Sequence, residues 1–518
     1  MTHTAHLRHL TRVSTALFGA VLLLVPLAGW EHVARTSGGV DGPGRWALTA
    51  FAGAVLASAG FVLYTRRSSL FYEPIAPPGR GHAAAVAAVL FACAFVAFQP
   101  MLRMGLLSDD FALLDSARDM DFLPSGWSSL RPLPLVLWWF LDLAAPAGST
   151  PRALHLLNVG LHALNAWLVW CVARRLGVSG LASFSAAALF LFSPVAVEPV
   201  VWSSGIFDVL LATLALVLCL VVSRGPEPGR RDQLLCLAIA VLMLATKETG
   251  VVAAPLALLV YWTRWGAGSR RVYATIGGMA LVAGVYAASR QLAGRLDPRL
   301  TPAFDADLIE RLVVQSVGAL SLPLHEQVIR THQAAAIAAG LVVIILLATW
   351  TFRWRQAPHG ARLALLAAAA LLLTVAPTVR AFGVLADLQG SRYVYLGSAF
   401  WCVALGAALI DGWRSRAGRV AGACVAGVAI VGAVAAEQAH FAPWREARRT
   451  RDRALYQMGS IPANCARVYI AGVPDHVDGA YVLRNGLTQA LASVGREHEI
   501  VRASAAPPEC RLDLAQER

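Results

Sequence analysis

The stretch Met101-Leu-Arg-Met-Gly-Leu-Leu-Ser-Asp-Asp-Phe-Ala-Leu-Leu114 decides how this chain is read. An apolar run from His82 to Met101 ends, and two adjacent carboxylates, Asp109 and Asp110, follow almost at once. A carboxylate at the bilayer centre costs roughly 2.5–3.5 kcal/mol on insertion scales, so a pair belongs just outside the hydrocarbon, at the water boundary. Neighbouring like charges raise one another's pKa and titrate together, which suits a general base or a ligand for a divalent cation. The plain alternative is an acidic helix start closing a span, with Ser108 as its N-cap.

The chain around this stretch is that of a polytopic membrane protein. Of its 518 residues, 57% are hydrophobic and only 14% charged, a balance that excludes a soluble globule. A helix needs about 20 apolar residues to cross roughly 30 Å of hydrocarbon. Thirteen runs approach that size, at 13–33, 46–64, 83–101, 155–173, 179–196, 205–222, 232–246, 249–263, 272–289, 333–352, 362–380, 393–410 and 419–436. The first is too long for a signal-peptide core and is read as a retained span.

The loops set the orientation. The net charge is +13, and Lys247 is the single lysine, so nearly every positive group is arginine. Arginines cluster in alternate short loops: Arg8/Arg12, Arg66/Arg67/Arg80, Arg174/Arg175, Arg224/Arg230/Arg231, Arg264/Arg270/Arg271, Arg353/Arg355/Arg362 and Arg414/Arg416/Arg419. The positive-inside rule places these loops and the N-terminus in the cytoplasm, and thirteen crossings then put residues 438–518 outside. The basic balance belongs to those loops and implies no nucleic-acid partner. The Arg-, Ala- and Gly-rich composition points to a bacterial cytoplasmic membrane. Six cysteines fall in apolar runs, whereas Cys465 and Cys510 share the polar tail, where an isolated pair suggests a disulfide and an oxidising compartment.

Residues 232–263 are read as two short spans whose Lys247–Glu248 turn lies recessed below the outer surface. Pro132-Leu-Pro-Leu-Val-Leu-Trp-Trp-Phe-Leu141, in the external loop 102–154, is too short to span and suits a helix lying in the interface. In the tail, residues 466–471 read as a strand and 479–494 as a helix, giving a small α/β unit. The same external face receives Glu198, Asp208, the Lys247–Glu248 turn and Arg392. Acids there supply a base or metal ligands, and lysine and arginine can hold a phosphate.

Several pieces then form an ordered set: Asp109-Asp110; Arg131-Pro132-Leu133; His155-Leu-Leu-Asn158 with His162-Ala-Leu-Asn165; Pro194-Val-Ala-Val-Glu198; Lys247-Glu248; and Arg392-Tyr-Val-Tyr-Leu-Gly-Ser398. In this order the chain resembles the membrane-embedded, polyprenyl-phosphate-sugar-dependent glycosyltransferases of the GT-C class, most of all the branch of protein O-mannosyltransferases and transmembrane-and-TPR proteins. It departs from them in places. Ser193 and Ala196 stand where relatives often carry histidines, Phe207 stands where they often carry a basic residue, and no TPR repeats follow.

The resemblance implies an all-α, GT-C-like polytopic membrane protein with a small α/β extracytoplasmic domain. Residues 1–81 would be two additional N-terminal spans, 82–437 the catalytic core and 438–518 the external domain. It implies an inverting transfer of a hexose or pentose from a polyprenyl-phosphate donor to an acceptor hydroxyl on protein, lipid or glycan. Asp109 or Asp110 would be the base, with Asp109 favoured. Arg392, Lys247 and Arg131 would bind the donor phosphate, supported by Glu198, Asp208, Glu248, Tyr393 and His155. Asp109, Asp110 and Glu198 are the acids that could hold a divalent metal, Mg or Mn. The rival classes are a flippase for lipid-linked glycans, expected to carry charges deep within spans and inverted repeats, and a non-catalytic membrane scaffold.

Overall fold

The computed structural model describes residues 80–123, 131–266, 268–292, 315–321, 323–326, 329, 358–377, 383–412, 415–459, 467–494, 499–502 and 511–513. The expected spans 13–33, 46–64 and 333–352 lie outside these residues, as do Cys465 and Cys510 with their expected disulfide.

The membrane part is a bundle of helices: α1 (Arg80–Phe98), α2 (Asp109–Arg118), α3 (Pro132–Ala144), α4 (Thr150–Arg175), α5 (Gly180–Leu191), α6 (Val197–Val201), α7 (Ile206–Val222), α8 (Arg230–Thr246), α9 (Ala253–Trp265), α10 (Arg270–Leu292), α11 (Ser316–Ser321), α12 (Pro358–Val375), α13 (Tyr395–Ile410) and α14 (Arg416–Gly459). The other ten expected spans each overlap a helix, although 362–380 runs beyond the described residues and 179–196 ends in the break after Leu191. Six helices among the described residues are long and apolar enough to cross a membrane by themselves, or seven if the pair Gly180–Leu191 and Pro194–Val201, bent by 48°, counts as one. The fold is therefore an all-α polytopic membrane protein. Helix α9 is shorter, at 13 residues, and meets α8 at the turn around Lys247–Glu248.

The ends follow local chemistry. Pro151 opens α4, where its missing N–H costs nothing, and Arg174 and Arg175 close it beside the bare carbonyls. Between α5 and α7 the chain is broken into short pieces, Pro194–Ala196, α6 and Ser203–Gly205. A side chain at Gly205 would stand 2.1 Å from the Pro199 carbonyl oxygen, so the break closes only on glycine.

The C-terminal part holds a three-stranded parallel sheet in the order β4–β1–β5, from β1 (Arg467–Ala471), β4 (Glu499–Arg502) and β5 (Arg511–Asp513). Strand β1 pairs Val468 with Ile500 on one edge and Ile470 with Leu512 on the other. The expected strand is thus present. The expected helix 479–494 is shorter. A hairpin of β2 (His476–Val477) and β3 (Ala480–Tyr481) takes its first residues, and helix α15 (Leu487–Ser493) starts only afterwards. Gly479 and Gly486 are the reason, since both sit at positive φ, 83° and 72°, which ends helical winding. Helix α14 continues through positions 437 and 438 into the C-terminal part, 44 residues in all. Its Phe441 packs edge-on against Phe98 at 5.4 Å, and its Gln438 amide donates to the Ala97 carbonyl at 3.3 Å.

Candidate active site

Helix α4 carries His155, Asn158, His162 and Asn165 at spacings of three and four, so they share one face. All four are buried. Asn158 donates to the carbonyls of Trp202 (2.9 Å) and Ser203 (3.1 Å), Asn165 donates to Val209 O (2.9 Å), and His162 Nε2 meets Leu191 O at 3.0 Å. Three of these carbonyls, those of Leu191, Trp202 and Ser203, flank the breaks between α5 and α7, and that of Val209 lies in the first turn of α7. Unpaired backbone in a membrane interior costs several kcal/mol per group, and this stripe supplies the partners.

The segment 102–108 that delivers the acid pair is clamped from several sides. Arg451 of α14 donates to Met104 O (2.7 Å) and Leu106 O (2.6 Å). His155 Nε2 lies 3.1 Å from Gly105 O, and Trp202 Nε1 donates to Leu107 O at 3.2 Å. Ser108 N donates to Val482 O at 2.8 Å.

The two acids then diverge. Asp110 is 0% exposed and turns inward. Its Oδ2 accepts Leu107 N at 2.9 Å, and its Oδ1 accepts Ser204 N at 2.8 Å together with the Ser204 hydroxyl. Burial pushes its carboxyl up to about 7, against the lowering effect of the Ser204 and Leu107 bonds. Asp109 is partly exposed at the start of α2. Its Oδ1 accepts from Asn485 Nδ2 at 2.5 Å and from Ser108 Oγ at 3.4 Å. Ser108 thus bonds the side chain of Asp109 and does not cap α2.

The expected cations come together as three ion pairs. Arg392 binds Glu198, which also accepts Arg392 N and Ser391 Oγ, each at 3.2 Å. Lys247 Nζ donates to Asp208 at 2.5 Å. Arg131 holds Glu248 through two bonds, 2.9 and 2.5 Å. Burial raises the Glu248 carboxyl, but the Arg131 charge and hydrogen bond outweigh it and hold it at about 2. Aromatic rings join the pairs. Lys247 lies over the Tyr393 ring at 5.0 Å, and Arg392 lies 4.6 Å from that ring and 5.1 Å from Trp202. Arg392 also donates to the hydroxyls of Tyr393 (2.8 Å) and Tyr481 (2.7 Å). A cavity lined by Asp208, Lys247, Thr249, Thr374, Arg392 and Tyr393 opens beside them.

One stretch of this chain is similar to a protein O-mannosyl-transferase. That relative is Tmtc1 of Drosophila melanogaster, 37% identical over 128 residues, which is 24% of this chain and 14% of the relative's own length. The match therefore spans a small part of that protein. Among solved structures, ArnT from Cupriavidus metallidurans bound to undecaprenyl phosphate aligns over 83% of this chain and 87% of its own, with 15% identity and a TM-score of 0.46. No family model matches the chain.

The expected metal set does not assemble. Asp110 uses both oxygens on Leu107 and Ser204, Glu198 is engaged by Arg392, and no group of three His, Cys, Asp or Glu side chains among the described residues is placed to hold an ion. The structure also adds residues that motif reading passed over. Trp202, Tyr481 and Asn485 link the acid pair to the Arg392 cluster, and Trp202 stacks on Tyr481 at 4.5 Å. The Asn485-Gly486 dipeptide is a turn signal in the sequence, but nothing local shows that the turn returns to residues almost four hundred positions earlier.

Proposed function

We propose that the chain is an inverting glycosyltransferase that moves a hexose or pentose from a polyprenyl-phosphate donor to an acceptor hydroxyl at the outer face of a bacterial cytoplasmic membrane. The observation that supports this best is a partly exposed carboxylate, Asp109, on the segment whose Leu107 carbonyl is held by Trp202, with Trp202 packed on Tyr481 and Tyr481 bonded to Arg392 in a largely buried group of three ion-paired cations. The donor phosphate meets Arg392 and Lys247, with Arg131 behind them. Lys247 uses one of its three N–H donors on Asp208 among the described residues, which leaves two for phosphate oxygens. Glu198, Asp208 and Glu248 hold the cations in place and balance them before the donor arrives. The acceptor approaches Asp109 from water. Its O–H proton passes to the carboxylate as its oxygen bonds the anomeric carbon. The bond from that carbon to the phosphate breaks, and the electron pair leaves with the polyprenyl phosphate. Inversion follows from the single displacement.

The test uses cells that lack the gene, complemented with the wild type or with Asp109→Asn. General-base catalysis is worth typically 10²–10⁴-fold. The variant should reach normal protein level and lose the envelope glycan that the wild type restores. An unchanged glycan would favour the scaffold reading. A glycan that is made but retained inside would favour the flippase.

A further inference from the structure

We infer that Asn485 is the residue that orients Asp109, so that Oδ2 is the oxygen that takes the acceptor's proton; this rests on the function proposed above. Among the described residues, every polar contact to the Asp109 side chain falls on one oxygen. Asn485 Nδ2 donates to Oδ1 at 2.5 Å, and Ser108 Oγ donates to the same atom at 3.4 Å. Nothing among the described residues bonds Oδ2. A carboxylate in the first turn of a helix otherwise swings about two torsions, and its terminal torsion is broad. Fixing Oδ1 restrains both torsions and leaves Oδ2 of this partly exposed residue for the acceptor.

Asn485, an exposed residue, is held through its own N–H, which makes it a suitable anchor. Its N–H donates to Ser108 Oγ at 3.3 Å, and Ser108 N donates back to Val482 O at 2.8 Å. Next to it, Gly486 stands at φ 72° with its α-carbon so near Ser108 O that a side-chain carbon would lie 2.6 Å away. The turn 482–486 is thus built onto the segment that carries the acid pair. An acid or base held by a third group recurs wherever a proton must move in one direction. Here the third group comes from the C-terminal part. In the transfer, the acceptor proton moves to Oδ2 while the glycosidic bond forms and the bond to phosphate breaks. Asn485 exchanges no atom with the substrate and is a positioning residue.

The test uses the full chain in solubilised membranes, supplied with rising amounts of the polyprenyl-phosphate sugar pool extracted from the host, and follows released polyprenyl phosphate. Membranes lacking the protein are the blank. Misplacing a reacting group by about 1 Å can cost 10²-fold. Asn485→Ala should lower the rate at saturating donor by about 10- to 100-fold and leave the donor KM unchanged. Asn485→Gln, which keeps the amide donor, should recover part of it. Asn485→Asp keeps the shape but cannot donate once ionised, and should be slower than the alanine variant. Thermal unfolding of each variant checks that the fold is intact. A wild-type rate in Asn485→Ala or Asn485→Asp, or a loss expressed in donor KM alone, would overturn the assignment. If wild type and Asp109→Asn release polyprenyl phosphate equally, the reading of Asp109 as base fails first.

Discussion

Asp109 and Asp110 are chemically identical neighbours, yet one residue of rotation along α2 puts them in different worlds. The buried one, Asp110, has its carboxyl raised from about 3.8 to about 7. A raised carboxyl means the folded state binds more protons than the unfolded one between these values. The contribution of Asp110 to stability is therefore fully present below about 3.8 and is lost as pH rises towards 7. Asp110→Asn should flatten that dependence, which thermal unfolding across pH 4 to 7 measures. Arg392→Lys should weaken donor binding, because one ammonium cannot serve Glu198, Tyr393 and Tyr481 together and still offer a fork to phosphate. Isothermal titration with a polyprenyl phosphate checks this. Glu437 is buried with neither carboxyl oxygen bonded among the described residues, so Glu437→Met should raise the unfolding free energy by about 1–3 kcal/mol, seen as a higher unfolding temperature. The acid pair and the cations were legible as residue types at span ends. Which acid faces water was not, because Ser204, 94 positions away, decides it.

At the level of elements, the spacing of His155, Asn158, His162 and Asn165 was visible as a heptad pair, and its partners were not. They are carbonyls on a chain broken by Pro194 and Gly205, and a break reveals its needs only when the helix across from it is known. Asn158→Leu removes a buried donor shared by Trp202 O and Ser203 O, and should cost about 1–3 kcal/mol. The turn at Gly486 is tighter still. Gly486→Ala faces both a positive φ and the Ser108 carbonyl, so it should push the Asn485 turn off the acid segment. The expected result is lost transfer with the membrane helices intact, seen as unchanged far-ultraviolet circular dichroism. Span positions were readable because hydrophobic length is a local property. The tail helix starts later than its apolar pattern suggests because Gly479 and Gly486 interrupt it.

For the whole molecule, orientation remains tied to the arginine-rich loops. A reporter active only in the cytoplasm, joined after Arg518, should stay silent, and one joined after Arg175 should be active. The C-terminal part closes over the membrane helices through Tyr481, Val482 and Asn485, so it belongs to the site as much as the bundle does. Helix α14 joins the two. Phe441 marks the level at which α1 ends, and Arg451, which grips the acid segment, lies ten residues further on. At 1.5 Å per residue that is about 15 Å of helix, which continues through Pro443. The helix is a gauge rod. It fixes the height of the acid above the end of α1 by covalent rise, whatever lipid surrounds it. A thicker bilayer lifts the headgroups towards the acid and a thinner one drops them away, so transfer should show an optimum in acyl-chain length.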